Sequence, residues 1–310
     1  MASAYSEKQI DDYVEYIALD PKYHRKANPP KDIAFLSALH AHQISVIPYE
    51  NLILHYSQDH KVCLDPQTLY KKLTTNGRGG YCMENSIFFN HILRGLGFNA
   101  YMAGVRIRPR IEGVPQGDYI GWVHVVNIIT LEDGGKYMAD VGFGGDGATK
   151  PLPLTPGVST LNIGTQEIRL VHEPLPTRAL TSQKFWIYQY RNAPTKPWNS
   201  FYAFPELEFL HVDFEIMNYY TGTNPESFQT FTVLVVKFLR DKERGVYGKV
   251  MLVNGEVKRN LGGRTEVVKV CKTEEERIAA LKEWFGITLT AEETDGIKGM
   301  STELSARRAD

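Results

Sequence analysis

The chain has 310 residues, more than one small core needs, and at 43% hydrophobic and 23% charged it has the composition of a soluble globular protein. A formal net charge of −1 excludes a broad electrostatic pull toward nucleic acid or an anionic membrane. Three cysteines, Cys63, Cys82 and Cys271, are too few for a disulfide framework and lack C-x-x-C spacing, so a reducing, cytosolic setting without a structural metal is expected. The opening run MASAYSEKQIDDYVEY has no signal-peptide shape, and no apolar run approaches the roughly 18 residues of a membrane span.

Taken in order, residues 6–19 predict a helix capped by Ser6, with Ile10, Tyr13, Val14 and Ile17 on one face. Pro29 and Pro30 mark a turn, and 31–43 predict a second helix through Ile33, Phe35, Leu36, Leu39 and His40. Asp65 and Pro66 read as the cap and first position of a helix over 66–74. NGRGGYCMENSIFF, residues 76–89, then combines a glycine turn with an apolar pattern at helical spacing, so Cys82 lies in the first turn of a helix. The region to residue 96 is therefore helical.

After Gly97 the period changes. Residues 100–108, 121–130, 136–144, 167–173 and 184–191 predict strands, and EDGG at 132–135 predicts the turn of a hairpin. PLPLTPGV, 151–158, reads as a proline-punctuated loop. Residues 205–220 predict a helix with Leu207, Leu210, Phe214 and Met217 as its core stripe. Strands over 230–238, 247–254 and 266–271 follow, then a helix over 274–285 with a capping box at Thr273 and Glu276, and a polar tail. The expected division is 1–96, 97–204 and 205–310.

A helix start carries partial positive charge, which favours a thiolate and is expected to lower the Cys82 pKa. A nucleophilic thiol needs a base and a group that orients the base. His124, between Val123 and Val125, points to the face opposite them. If 122–130 and 136–144 form a hairpin centred near residue 132 or 133, His124 lies opposite about residue 141, and Asp140 is within one residue of it. Arg106, Arg108 and Arg110 alternate along a strand edge and read as a solvated face. Gly142, Gly144 and Gly145 offer backbone that a phosphate could approach.

RGGYCMEN, WVHV around His124, ADVGFGG (139–145) and PYENL (48–52), in that order along the chain apart from PYENL preceding them, resemble the arylamine N-acetyltransferase family. The resemblance implies an α+β fold: an N-terminal helical bundle, a central β-barrel and a C-terminal α/β lid around a cysteine-protease-like catalytic core. It implies a Cys82–His124–Asp140 triad that takes an acyl group from acyl-CoA, here expected to be acetyl-CoA, as a thioester. The acyl group then passes to an arylamine, arylhydroxylamine or hydrazine, with coenzyme A as a co-substrate rather than a tightly bound cofactor. It also implies an ion pair of Glu50 and Arg78 beside the site, and Phe143 in the acceptor pocket. Tyr81 is taken as a second substrate-binding residue. The chain departs from the family pattern at Tyr49, where many members carry Phe, and at Ser86, where many carry Asn.

A cysteine hydrolase or transglutaminase-like enzyme would use the same three residues and is the alternative reading. With Arg78 engaged by Glu50, only Ser86, Asn85 and Tyr81 remain as polar groups near the nucleophile. Acetyl-CoA and propionyl-CoA are therefore expected as comparable donors and malonyl-CoA as a poor one, because a buried carboxylate without a partner is costly.

Overall fold

The structure is a computed structural model and describes residues 2–176 and 179–304. Four helices of two or more turns, Glu7–Tyr16, Ile33–Val46, Pro66–Leu73 and Cys82–Gly95, make the N-terminal region. Their starts are chemically defined. Ser6 and Gln9 form a reciprocal capping box, and the Asp32 and Asp65 carboxylates accept from the amides of Phe35 and Thr68. The Cys82–Gly95 helix is the centre of this core. Met83, Ile87, Phe88, Phe89, Ile92 and Leu93 are all fully buried on it.

Behind that helix stands an eight-stranded sheet, antiparallel throughout and curled into a half-barrel. In spatial order its strands begin at residues 152, 136, 122, 99, 199, 184, 167 and 159. The central Trp122–Thr130 strand is buried on both faces. Val125 and Ile129 pack toward the helices, and Val126 and Ile128 pack into the barrel interior with Tyr188 and Tyr202. A second, five-stranded sheet forms the C-terminal region, with strands beginning at residues 49, 234, 245, 256 and 265. Its first strand, Tyr49–Glu50, comes from the N-terminal region, so the division at residue 205 is crossed by a strand pairing of Tyr49 with Val236.

Several expected elements differ. The strand expected over 136–144 ends at Ala139, which leaves Asp140 just beyond the ladder. The helix expected from 205 begins at His211, so Leu207 and Leu210 are 59% and 54% exposed and do not belong to the core; Phe214 and Met217 do. The π turn Leu281–Phe285 follows the α-helix Glu274–Ala280. Leu152–Pro153 is a short strand at the sheet edge, where proline is tolerated. Strands Asn199–Phe204 and Glu256–Asn260 have no counterpart among the expected elements. The polar tail falls partly on residues 305–310, which lie outside the described residues. Before it, Thr302 and Leu304 are tied to the buried Arg277–Glu274 pair, through the Thr302 carbonyl and the Leu304 amide. Among the described residues no helix is long and apolar enough to cross a membrane.

Candidate active site

The structure brings Cys82, His124 and Asp140 to one place through three local devices. The first is the turn before the helix. Gly79 presses on the Pro48 carbonyl so closely that a Cβ would lie 1.8 Å from that oxygen. Only glycine lets the chain pass PYENL there and enter the helix at Cys82. Glu84 accepts from the Tyr81 amide at 3.0 Å and closes the first turn.

The second device is a β-bulge. In the pairing of strands 99–107 and 122–130, Val105 faces His124 and Arg106 faces Trp122, leaving Val123 without a register partner. Bulges re-aim side chains where function needs it. Here the carbonyl oxygen of Val123 accepts from Cys82 Sγ at 3.8 Å, which ties Cys82 to the residue beside His124.

The third is the hairpin. Asn127 pairs with Ala139 and Thr130 with Lys136, so the register extends His124 toward residue 142, close to the expectation. Asp140, released from the ladder, accepts from His124 Nε2 through Oδ2 at 2.8 Å and from the Gly142 amide through Oδ1 at 3.1 Å. A carboxylate only accepts, so His124 carries its proton on Nε2, and Nδ1 remains as the basic nitrogen. Gly142 then lies against Cys82: a Cβ there would meet the Cys82 carbonyl oxygen at 2.7 Å and Ser86 Oγ at 2.9 Å. Cys82, His124 and Asp140 are 5%, 1% and 2% exposed.

Burial pushes the Cys82 thiol up from its ordinary value, and the carboxylates of Asp140 and Glu84 add to this, while the Met83 amide at the helix start works against it. The expected lowering by the helix terminus alone is therefore corrected. In so dry a place a thiol acting as a nucleophile needs a proton acceptor.

An ion-pair cluster supports the turn. Glu50 is fully buried; its Oε1 accepts from Arg78 Nε at 2.9 Å and from the Gly79 amide at 3.3 Å, and its Oε2 accepts from the Leu52 amide at 2.7 Å. Arg78 also meets Glu293, and Lys72, which sequence reasoning missed, bridges Glu84 at 2.6 Å and Glu50 at 3.7 Å. Burial alone would raise the Glu50 carboxyl, but Arg78 and Lys72 outweigh it and hold it below its ordinary value. Its stabilisation is thus present above the ordinary carboxyl pKa and is lost as pH falls through the lowered folded value. Glu50→Gln should cost about 3 kcal/mol, the lower end for breaking a buried pair, because Arg78 keeps Glu293 and Lys72 keeps Glu84. Urea unfolding at neutral pH measures it. A variant of unchanged stability and lost turnover would move Glu50 into the chemistry instead.

The Phe143 ring lies 5.1 Å from that of His124. It packs edge-on against Phe201 at 4.7 Å and Tyr202 at 4.8 Å, and Tyr202 stacks on Tyr188 at 4.6 Å. These three partners come from strands 184–191 and 199–204. The alternation of NSFYAF is the sequence signal for the second. Tyr81 is corrected: it is fully buried, and its hydroxyl meets Asn218 and Thr221 of the His211–Thr223 helix, so it anchors that helix and does not face the site. At the three glycines expected near a phosphate, a Cβ on Gly142 would meet the Cys82 carbonyl and Ser86 Oγ, a Cβ on Gly144 would lie 3.7 Å from the Tyr49 ring, and the Gly145 carbonyl accepts from Lys249. At the two departures from the family pattern, the Tyr49 hydroxyl accepts from Gln229 at 2.6 Å, and the Ser86 hydroxyl donates to the Val125 carbonyl at 3.4 Å.

A family model described as N-acetyltransferase matches residues 32–294. The N-malonyltransferase FDB2 of Fusarium pseudograminearum is 35% identical, over 94% of this chain and 92% of its own. The arylamine N-acetyltransferase of Escherichia coli is 31% identical, over 72% of this chain and 71% of its own. The solved arylamine N-acetyltransferase of Salmonella typhimurium superposes with a TM-score of 0.77 at 25% identity, over 96% of this chain and 98% of that one. The matched span includes the glycine turn, the bulged histidine strand and the hairpin aspartate, and the chain belongs to the arylamine N-acetyltransferase family.

Proposed function

We propose that the protein transfers an acyl group from acyl-CoA to an aromatic amine through a thioester on Cys82, and that malonyl is the acyl group it prefers. The observation that carries the transfer is the His124–Asp140 bond, which leaves Nδ1 as the base beside a buried thiol. His124 takes the Cys82 proton as sulfur attacks the thioester carbon. The tetrahedral intermediate collapses, the bond to coenzyme A sulfur breaks, and the imidazolium returns the proton to the departing thiolate. The amine then attacks the acyl-Cys82 carbon, gives a proton to His124, and leaves as the amide while the Cys82 sulfur is released and reprotonated. Asp140 holds the imidazole in the productive tautomer and balances the imidazolium charge. Phe143, backed by the buried Tyr202 and Tyr188, offers an aromatic face suited to a flat acceptor such as an arylamine or arylhydroxylamine.

Malonyl is favoured because a relative that aligns with nearly the whole chain is named an N-malonyltransferase. This reverses the donor order expected from the sequence. With one fixed arylamine, kcat/KM for malonyl-CoA should exceed that for acetyl-CoA and propionyl-CoA by about tenfold or more, the span that one charge-assisted contact supplies. Equal or better use of acetyl-CoA would return the acyl preference to acetyl and leave the transfer chemistry intact.

A further inference from the structure

Tyr49 stands where many members of the family carry Phe, so this chain adds one hydroxyl there. The hydrogen bonds around it fix what that hydroxyl can do. Asn51 Oδ1 accepts from the Leu234 amide at 2.8 Å, which leaves Nδ2 to donate to Gln229 Oε1 at 3.0 Å. The Gln229 amide is thereby oriented, and its Nε2 donates to the Tyr49 oxygen at 2.6 Å. The phenol oxygen accepts in that bond and keeps its own proton to give. Among the described residues no acceptor takes that proton, and Tyr49 is buried.

Tyr49 stands beside the triad. Its backbone bridges to Gly80, two residues before Cys82. Its side chain lines one cavity with Asp140, Val141 and Phe143, closed from the C-terminal sheet by Val236 and Phe238. Of the ionisable groups around the phenol, Cys82 acts on it most strongly, ahead of Glu84 and Glu50. No hydrogen bond joins the hydroxyl to Cys82 among the described residues, so a gap separates sulfur from donor. The cavity holds about 10 Å³, roughly the room of one water, which suits a small polar end and neither a ring nor an alkyl chain. Asp140 borders it too, with Oδ2 bonded to His124 and Oδ1 to the Gly142 amide. A second carboxylate placed there needs a donor of its own.

We propose that Tyr49 is a specificity-determining residue for the acyl group, its hydroxyl donating to the terminal carboxylate of a malonyl group carried on Cys82. This rests on the acyl-transfer reading above and on its malonyl preference. An acetyl group ends in a methyl and leaves the buried proton without an acceptor. A malonyl carboxylate takes that proton in a charge-assisted bond, and the Gln229 bond behind the phenol polarises it as a donor. A site with a buried donor discriminates against the ligand that leaves it unpaired.

The test is the ratio of kcat/KM for malonyl-CoA to that for acetyl-CoA in Tyr49→Phe, with one arylamine. The variant removes the hydroxyl alone, and thermal melting checks that it folds like the parent. The ratio should fall about tenfold or more, with a far smaller change for acetyl-CoA. The loss should already be present in the first half-reaction, read as the burst of coenzyme A release before the amine is added. An unchanged ratio would overturn the proposal; where both donors lose alike, the hydroxyl serves the thioester oxygen that they share. A loss confined to the amine step would overturn it as well and give Tyr49 to the acceptor. A parent enzyme that does not use malonyl-CoA would remove the malonyl reading and this proposal with it, a result visible before any variant is made.

Discussion

Cys82→Ser is expected to abolish acyl transfer while the protein remains folded. The hydroxyl is nearly isosteric with the thiol, and the contact it must keep is the long one to the Val123 carbonyl, so the helix start should survive. The chemistry should not. Burial and two carboxylates already press the Cys82 proton onto sulfur, and a serine in the same dry place holds its proton far more tightly. His124 could still hydrogen-bond to the hydroxyl, but thioester exchange between sulfurs is nearly isoenergetic, and an oxygen ester offers no comparable step. Turnover should fall by about 10⁴ or more, as when the nucleophile of a triad is removed. Mass spectrometry of the enzyme incubated with acyl-CoA should find the adduct in the parent and not in the variant. Near-normal turnover in Cys82→Ser would remove Cys82 as nucleophile. A pH dependence follows from the same shift. With the thiol raised and no base beside it, His124→Gln should need a pH above the ordinary thiol range before iodoacetamide alkylates Cys82 at the parent's rate. Equal rates at neutral pH in both proteins would show that His124 does not accept the proton.

Asp140→Asn should leave a folded enzyme slowed by about 10³–10⁴, the scale known for the same change in a serine triad. The loss has two sources here. The introduced amide could offer its nitrogen to the imidazole and stabilise the tautomer with the proton on Nδ1, facing the sulfur. It would also leave the imidazolium without a countercharge in a site where His124 is 1% exposed. The Gly142 amide can still bond to the amide oxygen, so the turn that presses Gly142 on Cys82 is retained. Circular dichroism and thermal melting check the fold, and single-turnover acylation checks the chemistry. A folded variant with unchanged kcat would take Asp140 out of the mechanism.

The parts of this site that local pattern controls are readable from the chain. A glycine turn feeding a helix sets Cys82, and a turn at 132–135 sets the register that aligns His124 with Asp140. What is not readable depends on tertiary sums. The direction of the Cys82 shift is decided by burial, which no single stretch encodes. The bulge at Val123 follows from how two strands of unequal path are reconciled, and nothing in WVHVV marks it. Tyr81 looks like a pocket residue because it precedes the nucleophile, yet the distant Asn218 and Thr221 fix its direction. Arg106, Arg108 and Arg110 share an alternation, but the strand ends between the first and the other two. Arg106 lies over Trp122, Arg108 bonds to the Gly117 carbonyl, and Arg110 turns to Phe201.

The strand Tyr49–Glu50 covers the edge of Leu234–Asp241, whose Val235, Val236 and Phe238 are buried. A fragment containing only the last hundred or so residues would leave that edge unpaired and apolar, a template for pairing with other chains. During synthesis the C-terminal sheet can be finished only by a segment made far earlier, so the chain must hold PYENL in place through the glycine turn until the final strands arrive. Weakening Glu50 or Gly79, which hold the turn before Cys82, should therefore lower the yield of soluble protein as well as its stability.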